Sequence, residues 1–295
     1  MNRITIAEVE RLLAEDVPAG DLTTDALAIG AMPGRLTFAA RGPTTVAGIE
    51  VAGQILGHVG ATVALAVASG TTVPAGTPLL VADGQAGALH RGWKVAQTLV
   101  EVLSGIAGAA RSLVDAAAAV DPAVRVACTR KTVPGTRRLS QIAVVAGGAV
   151  LHRHGLSETV LLFAEHRAFL AGEDLAALAA RLRHGAPEKR LVVEVGEPGE
   201  ARRAIAAGFD VIQLEKFKPD EVAAVAAARP AHVLLAAAGG IDPSNAAAYV
   251  RAGAGLLVTS WPYTARPAEV AVTIVPADRA ETVPQTAPPS VSILT

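Results

Sequence analysis

The sequence predicts an α/β barrel preceded by a smaller α+β domain, and three observations predict it. Four apolar runs, Leu191–Val195, Val211–Leu214, His232–Ala236 and Leu256–Thr259, begin about 20 residues apart with alanine-rich helical segments between them, the length of a parallel strand and its crossover helix. Ahead of them, Trp93, Ala96, Val100, Leu103, Ala107, Ala110 and Val114 recur at spacings of three and four. Residues 35–84 are instead broken by Gly and Pro into short strand-like runs. Strand spacing alone also admits a doubly wound sheet.

In order, residues 4–14 form a short amphipathic helix and Glu15 to Asp21 a turn-rich segment. Residues 35–84 then read as short strands, with Val73-Pro74-Ala75-Gly76-Thr77 ahead of the apolar Leu79-Leu80-Val81. A long helix follows from about Gly92 into the Ala118 region. Val124–Cys128 is a strand, Leu139–Ala146 a helix, Thr159–Phe163 a strand and Leu175–Leu182 a helix, before the regular series begins. After Val275 no packing period remains. The domain expectation is therefore 1–108 for the α+β part with its linking helix, completed by 265–280, then 109–264 for the barrel and 281–295 for a flexible tail.

Composition narrows the function. At 295 residues and 51% hydrophobic, the chain buries a substantial core, and its formal net charge of −1 argues against a nucleic-acid partner. Cys128 is the only cysteine, which removes intrachain disulfides and multi-cysteine metal clusters. Without a basic, apolar leader or an unbroken apolar span, the expectation is a cytoplasmic protein with no membrane partner.

Polar residues cluster where strands end, the face on which barrels carry their chemistry. Arg130 and Lys131 follow one strand and precede the stiff Thr132-Val133-Pro134-Gly135; His152-Arg153 lies between Gly147-Gly148 and Gly155. Two cationic sites at the exits of core segments suit a strongly anionic small molecule, although a solvated basic turn is the plain alternative for Arg130-Lys131. Glu194 is the one acid in an apolar strand, so it must be paired, protonated or bound to a metal. Glu215 ends the next strand, where Lys216 could simply pair with it. Gly239-Gly240-Ile241, ahead of a helix expected near Pro243, offers backbone N–H groups to phosphate, and Val258-Thr259-Ser260 ends the last strand.

These segments resemble the quinolinate phosphoribosyltransferase family, also called nicotinate-nucleotide pyrophosphorylase. The resemblance is carried by Glu15-Asp16 through Gly20-Asp21-Leu22-Thr23-Thr24, Leu103-Ser104-Gly105-Ile106-Ala107, Thr129 to Gly135, His152-Arg153, Glu194-Val195, Glu215 and Gly239-Gly240-Ile241. Further runs, His90 to Gln97, Leu156 to Thr159, Phe163-Ala164-Glu165-His166 and Val258-Thr259-Ser260 with Pro262-Tyr263, resemble the family's molybdenum-utilisation branch of pyrophosphorylases. The resemblance implies a type II phosphoribosyltransferase-like incomplete α/β barrel, a homodimer with a shared active site, Mg²⁺, and 5-phosphoribosyl 1-diphosphate as donor to an anionic heteroaromatic acceptor.

Residue by residue, it implies that Arg130, His152 and Arg153 hold the acceptor's carboxylates and Lys131 lies near the phosphoribosyl donor. Glu194 and Glu215 fall near the ribose and the Mg²⁺-diphosphate, directly or through water, and Glu215 stands where the family usually has Asp. Lys131, Glu194 and Glu215 form the catalytic set. Ala238, Gly239 and Gly240 match a phosphate-binding Ser-Gly-Gly run, and Thr259 and Ser260 complete the substrate-binding set. Lys94 stands where the family has an arginine reaching across the dimer, with Arg91 one turn earlier, and Phe163 stands where it has a pocket lysine. Those departures bear on quinolinate, whose transfer is followed by decarboxylation in the family. The alternatives are a quinolinate enzyme of NAD biosynthesis and a noncatalytic binder of a phosphorylated or oxyanion ligand.

Overall fold

The computed structural model describes residues 2–279, so the expected tail at 281–295 lies outside the described residues. The described residues divide into two units, one of residues 2–108, 138–146 and 266–279, the other of residues 109–137 and 147–265.

In the first unit, α1 (Ile6–Asp16) starts in a capping box in which Thr5 and Glu8 satisfy each other's backbone N–H groups, and α2 (Leu22–Ala26) is capped by Asp21. Then come β1 (Pro33–Ala40), β2 (Thr44–Thr45), α3 (Ile49–His58), β3 (Thr62–Leu65), β4 (Thr72–Val73) and β5 (Pro78–Gln85). α3 corrects the expectation of strands throughout 35–84. Gly53 and Gly57 make it read as broken chain, but Ile49, Val51, Ala52, Ile55 and Leu56 are all buried, and that apolar burial outweighs the poor helix propensity of two glycines.

The long helix α4 (Ala86–Ala118) begins six residues before its expected start. Its Leu103-Ser104-Gly105 run is built for contact: the Ser104 hydroxyl accepts from the Ala47 N–H at 3.0 Å, and Gly105 lies against the Arg266 backbone. A Cβ on Gly105 would sit 2.2 Å from the Arg266 carbonyl oxygen. Gly105→Ala is therefore expected to destabilise the protein by about 3 kcal/mol, because overpacking against fixed backbone exceeds the ~1 kcal/mol helix-propensity gain. Chemical denaturation measures this; an unchanged midpoint would show that the backbone at Arg266 yields freely.

The second unit holds β6 (Arg125–Cys128), then, after α5 (Arg137–Ala146), whose residues 138–146 belong to the first unit, β7 (Val150–Leu151), β8 (Val160–Leu162), α6 (Ala164–Arg167), α7 (Leu175–Gly185), β9 (Leu191–Val195), α8 (Pro198–Ala206), β10 (Val211–Glu215), α9 (Pro219–Ala226), β11 (Leu234–Ala238), α10 (Ala246–Arg251) and β12 (Leu256–Thr259). Its seven parallel strands run in the order β7-β6-β12-β11-β10-β9-β8. β7 and β8 end the sheet without pairing to each other, so the barrel is incomplete. β13 (Val270–Pro276) returns to the first unit and gives its antiparallel sheet the order β13-β1-β5-β3.

β11 lies two residues later than expected, because Val233 N–H closes a turn onto the Pro230 carbonyl and the parallel ladder starts only at Leu234. The inner face of the barrel carries Ala127, Val211, Ala236, Ala238 and Val258, with Val192, Leu234 and Leu256 against them. Side chains two apart on a strand share a face, so Glu194, Gln213 and Glu215 point inward with Val192 and Val211. Three polar groups thus interrupt an alanine-lined interior, where small side chains leave room for a ligand.

Candidate active site

At the C-terminal ends of these strands a cavity of about 860 Å³ opens. Arg130, Lys131, His152, Arg153, Phe163, Glu194, Glu215, Ala238, Gly239, Gly240, Thr259 and Ser260, twelve of the fourteen residues expected at the site, line it. Arg91 and Lys94 do not; both are exposed on α4, and Lys94 lies 4.0 Å over the Trp93 ring with its ammonium donating to Gln97.

The cationic loop is tied down at its root. Thr129 N–H donates to the Thr259 carbonyl at 2.9 Å and the Tyr263 hydroxyl donates to the Thr129 carbonyl at 2.8 Å, which joins the exits of β6 and β12. His152 N–H donates to the Cys128 carbonyl at 2.9 Å and so brings the second cationic pair beside the first. Burial, reinforced by Arg153 and then Arg130, holds His152 below the usual imidazole range, so it is neutral at pH 7 and offers one ring N–H and one acceptor. Burial and then Arg130 also lower the Arg153 guanidinium. These charges repel one another in the free protein, and an anion relieves that repulsion.

Across the cavity stand the carboxylates. Burial raises Glu194 above the usual range, the Gln213 amide opposes that shift, Glu215 and Glu165 add to it, and Lys131 opposes it. Gln213 Nε2 donates to Glu194 Oε2 at 2.5 Å. Thr259 is committed locally, since its hydroxyl donates to the Ile241 carbonyl and accepts from Trp261 N–H. Its place in the lining is that of a brace for the Gly-Gly loop.

That loop differs from expectation. Asp242 accepts from the Ser244 N–H and hydroxyl, and Asn245 accepts from Asp242 N–H while donating to the Gly240 carbonyl. Such side-chain bonds compete with helix formation, so α10 begins at Ala246 and not near Pro243. The Gly239-Gly240-Ile241 backbone lines the cavity ahead of this cap, just beyond the end of β11. Gly239 has φ 88° and a Cβ there would lie 2.7 Å from Lys216 Cγ, so glycine is required on both counts.

Glu165, His166 and Gln213 are among the lining residues that escaped the sequence reading as site residues. Glu165 and His166 come from α6, a single turn too short to show a period, where Phe163 N–H donates to His166 Nδ1 and the two rings stack at 5.8 Å. Arg153 lies 5.6 Å from the Phe163 centroid. Gln213 escaped because it is uncharged, though it is as isolated in its apolar strand as Glu194 is in the one beside it.

The chain is similar to known proteins along most of its length. The family model described as quinolinate phosphoribosyl transferase, C-terminal domain, matches residues 106–272, and the N-terminal domain model matches residues 21–104. The chain is 56% identical over 246 residues to the "Putative pyrophosphorylase ModD" of Rhodobacter capsulatus, covering 82% of this chain and 94% of that one. A protein of the same description from Escherichia coli O6:H1 is 42% identical over 275 residues, covering 92% and 97%. Among solved structures, the nicotinate-nucleotide pyrophosphorylase of Francisella tularensis superposes with a TM-score of 0.85 at 22% identity over 91% of this chain and 95% of that one, a likeness of fold.

Proposed function

The chain belongs to the quinolinate phosphoribosyl transferase family, and from that premise we propose that it transfers a 5-phosphoribosyl group from 5-phosphoribosyl 1-diphosphate to a ring nitrogen of an anionic heteroaromatic acceptor, releasing diphosphate. The observation that carries this reading is the polarity of one cavity: Arg130, Lys131 and Arg153 with neutral His152 on one side, Glu194 and Glu215 on the inner face of β9 and β10. A pure anion-binding site has no use for that second wall, whereas a ribosyl centre that gains positive charge as its bond to diphosphate breaks does.

In this reading Arg130, His152 and Arg153 hold the acceptor's acid group and point its ring nitrogen at the sugar. Lys131 and the N–H groups of Gly239 and Gly240 take phosphate oxygens, and Glu194 with Glu215 faces the developing cation. The new carbon–nitrogen bond forms at the carbon whose bond to diphosphate oxygen breaks, and no side chain acts as nucleophile.

Among the described residues no group of three or more His, Cys, Asp or Glu side chains is arranged to hold a metal ion. Two carboxylates on one cavity wall instead suit Mg²⁺ that arrives on the diphosphate, since this ion keeps most of its ligands as water and phosphate oxygen. When bound, it neutralises charge on the leaving group. We assign Arg91 and Lys94, exposed and outside the cavity, to the partner's site in a homodimer.

The test is incubation with Mg²⁺, 5-phosphoribosyl 1-diphosphate and a panel of pyridine and pyrimidine carboxylates, followed by mass spectrometry and a diphosphate assay. A nucleotide product with stoichiometric diphosphate is expected from at least one acceptor. Tight diphosphate binding with no transfer to any of them would leave a binding protein.

A further inference from the structure

Gln213 is 4% exposed and lies on the inner face of β10, directly across from Glu194 on β9 and Ala236 on β11. Its Nε2 donates to Glu194 Oε2, an orientation the charge enforces, because an amide carbonyl turned toward a carboxylate would be repelled. That leaves Gln213 Oε1, which is buried and has no hydrogen-bond partner among the described residues. A buried acceptor left unpaired costs about 1–3 kcal/mol, and a strand with Val211, Ile212 and Leu214 on either side would accept Leu or Met here without that cost. Gln213 lines the cavity, and Ala236 opposite it is too small to cover the amide.

The neighbouring groups define what can meet it. The cations of the cavity stand after β6 and β7, while Glu194, Gln213 Oε1 and Glu215 present only acceptors from β9 and β10. Gln213 stands two residues deeper along its strand than Glu215. A ligand that reaches it must carry a hydrogen-bond donor on the edge remote from its anionic group, and a molecule with acceptors alone would leave the amide oxygen unpaired.

We propose that Gln213 is a specificity-determining residue whose Oε1 accepts a hydrogen bond from an O–H or N–H of the bound substrate while its Nε2 holds Glu194 in place. The proposal rests on the transfer reading above. The donor can come from a ribose hydroxyl of 5-phosphoribosyl 1-diphosphate or from a ring amino, ring N–H or hydroxyl group of the acceptor, and the experiment separates the two.

Wild type, Gln213→Leu and Gln213→Met are compared, two variants of similar volume so that one folded variant suffices, with thermal melts to establish folding. In one arm, calorimetry with Mg²⁺ present measures affinity for 5-phosphoribosyl 1-diphosphate and for its 2-deoxy and 3-deoxy analogues. In the other, kcat and KM are measured for pyridine and pyrimidine carboxylates with and without a ring amino or hydroxyl group. Wild type is expected to prefer the ligand bearing the donor by about 10-fold to 100-fold in one arm, and either variant to bring that ratio close to one. A purely structural role would lower all activities together and leave the ratios unchanged. Folded variants with wild-type ratios in both arms overturn the assignment of Gln213 alone. A wild-type protein that neither binds the phosphoribosyl donor nor transfers it overturns the transfer reading and this one with it.

Discussion

Glu194→Gln is expected to lower kcat by about 10²-fold to 10³-fold, the scale on which a single preorganised electrostatic group contributes, and at the same time to raise thermal stability at pH 7. The two effects have one cause. Burial is the largest influence on Glu194 and lifts its carboxyl above the usual range, with Glu215 and Glu165 adding to it. A carboxyl whose folded value lies above its unfolded value stabilises the fold below the unfolded value and loses that contribution as pH rises through the folded one. At pH 7 the ionised Glu194 is therefore a cost to the fold, tolerated because the charge is wanted at the reacting centre. The amide removes the cost and keeps an oxygen for Gln213 Nε2 to donate to. Melting temperatures should rise at pH 7, with the gain shrinking as pH falls through the raised value, and the acid limb of the rate profile should lose its Glu194 component. A variant with full turnover, or one less stable than wild type at pH 7, contradicts this account.

The same physics explains which parts of the site could be read from the chain. Glu194 stood out because an acid among Leu191, Val192, Val193 and Val195 has no innocent explanation, and Arg130-Lys131 because a rigid turn follows them at once. Strands β9 and β12 kept their expected limits because their ladders run the full length of their apolar runs. Local competition defeated the rest. The Asp242, Ser244 and Asn245 side chains capture backbone that an apolar period would assign to helix, and α3 hides behind two glycines whose cost only tertiary burial can offset. The contact of Phe163, His166 and Arg153 joins residues of two segments, and no spacing along the chain announces it.

Arg153→Met is the complementary test, made on the cationic wall. Methionine keeps an unbranched apolar stem and removes the guanidinium, whose carbon lies 5.6 Å from the Phe163 ring centroid. Hydrogen bonds to charged groups contribute about 1.5–3 kcal/mol, so the acceptor's KM should rise by about 10-fold to 100-fold, with a much smaller change for the phosphoribosyl donor. Arg153→Lys should recover part of the loss, since it restores charge without the fork that grips a carboxylate in two places. The free protein should be no less stable, because burial and then Arg130 already disfavour a cation at this position. His152 supplies an independent readout. Burial is the main reason its imidazole is held below the usual range, with Arg153 and Arg130 adding to it, so removing Arg153 should raise its titration midpoint while leaving it depressed. NMR of the imidazole signals measures that shift directly. An unmoved midpoint together with an unchanged acceptor KM would mean that Arg153 faces solvent in the working enzyme, and the cation-lined wall would then have to be assigned to Arg130 and Lys131 alone.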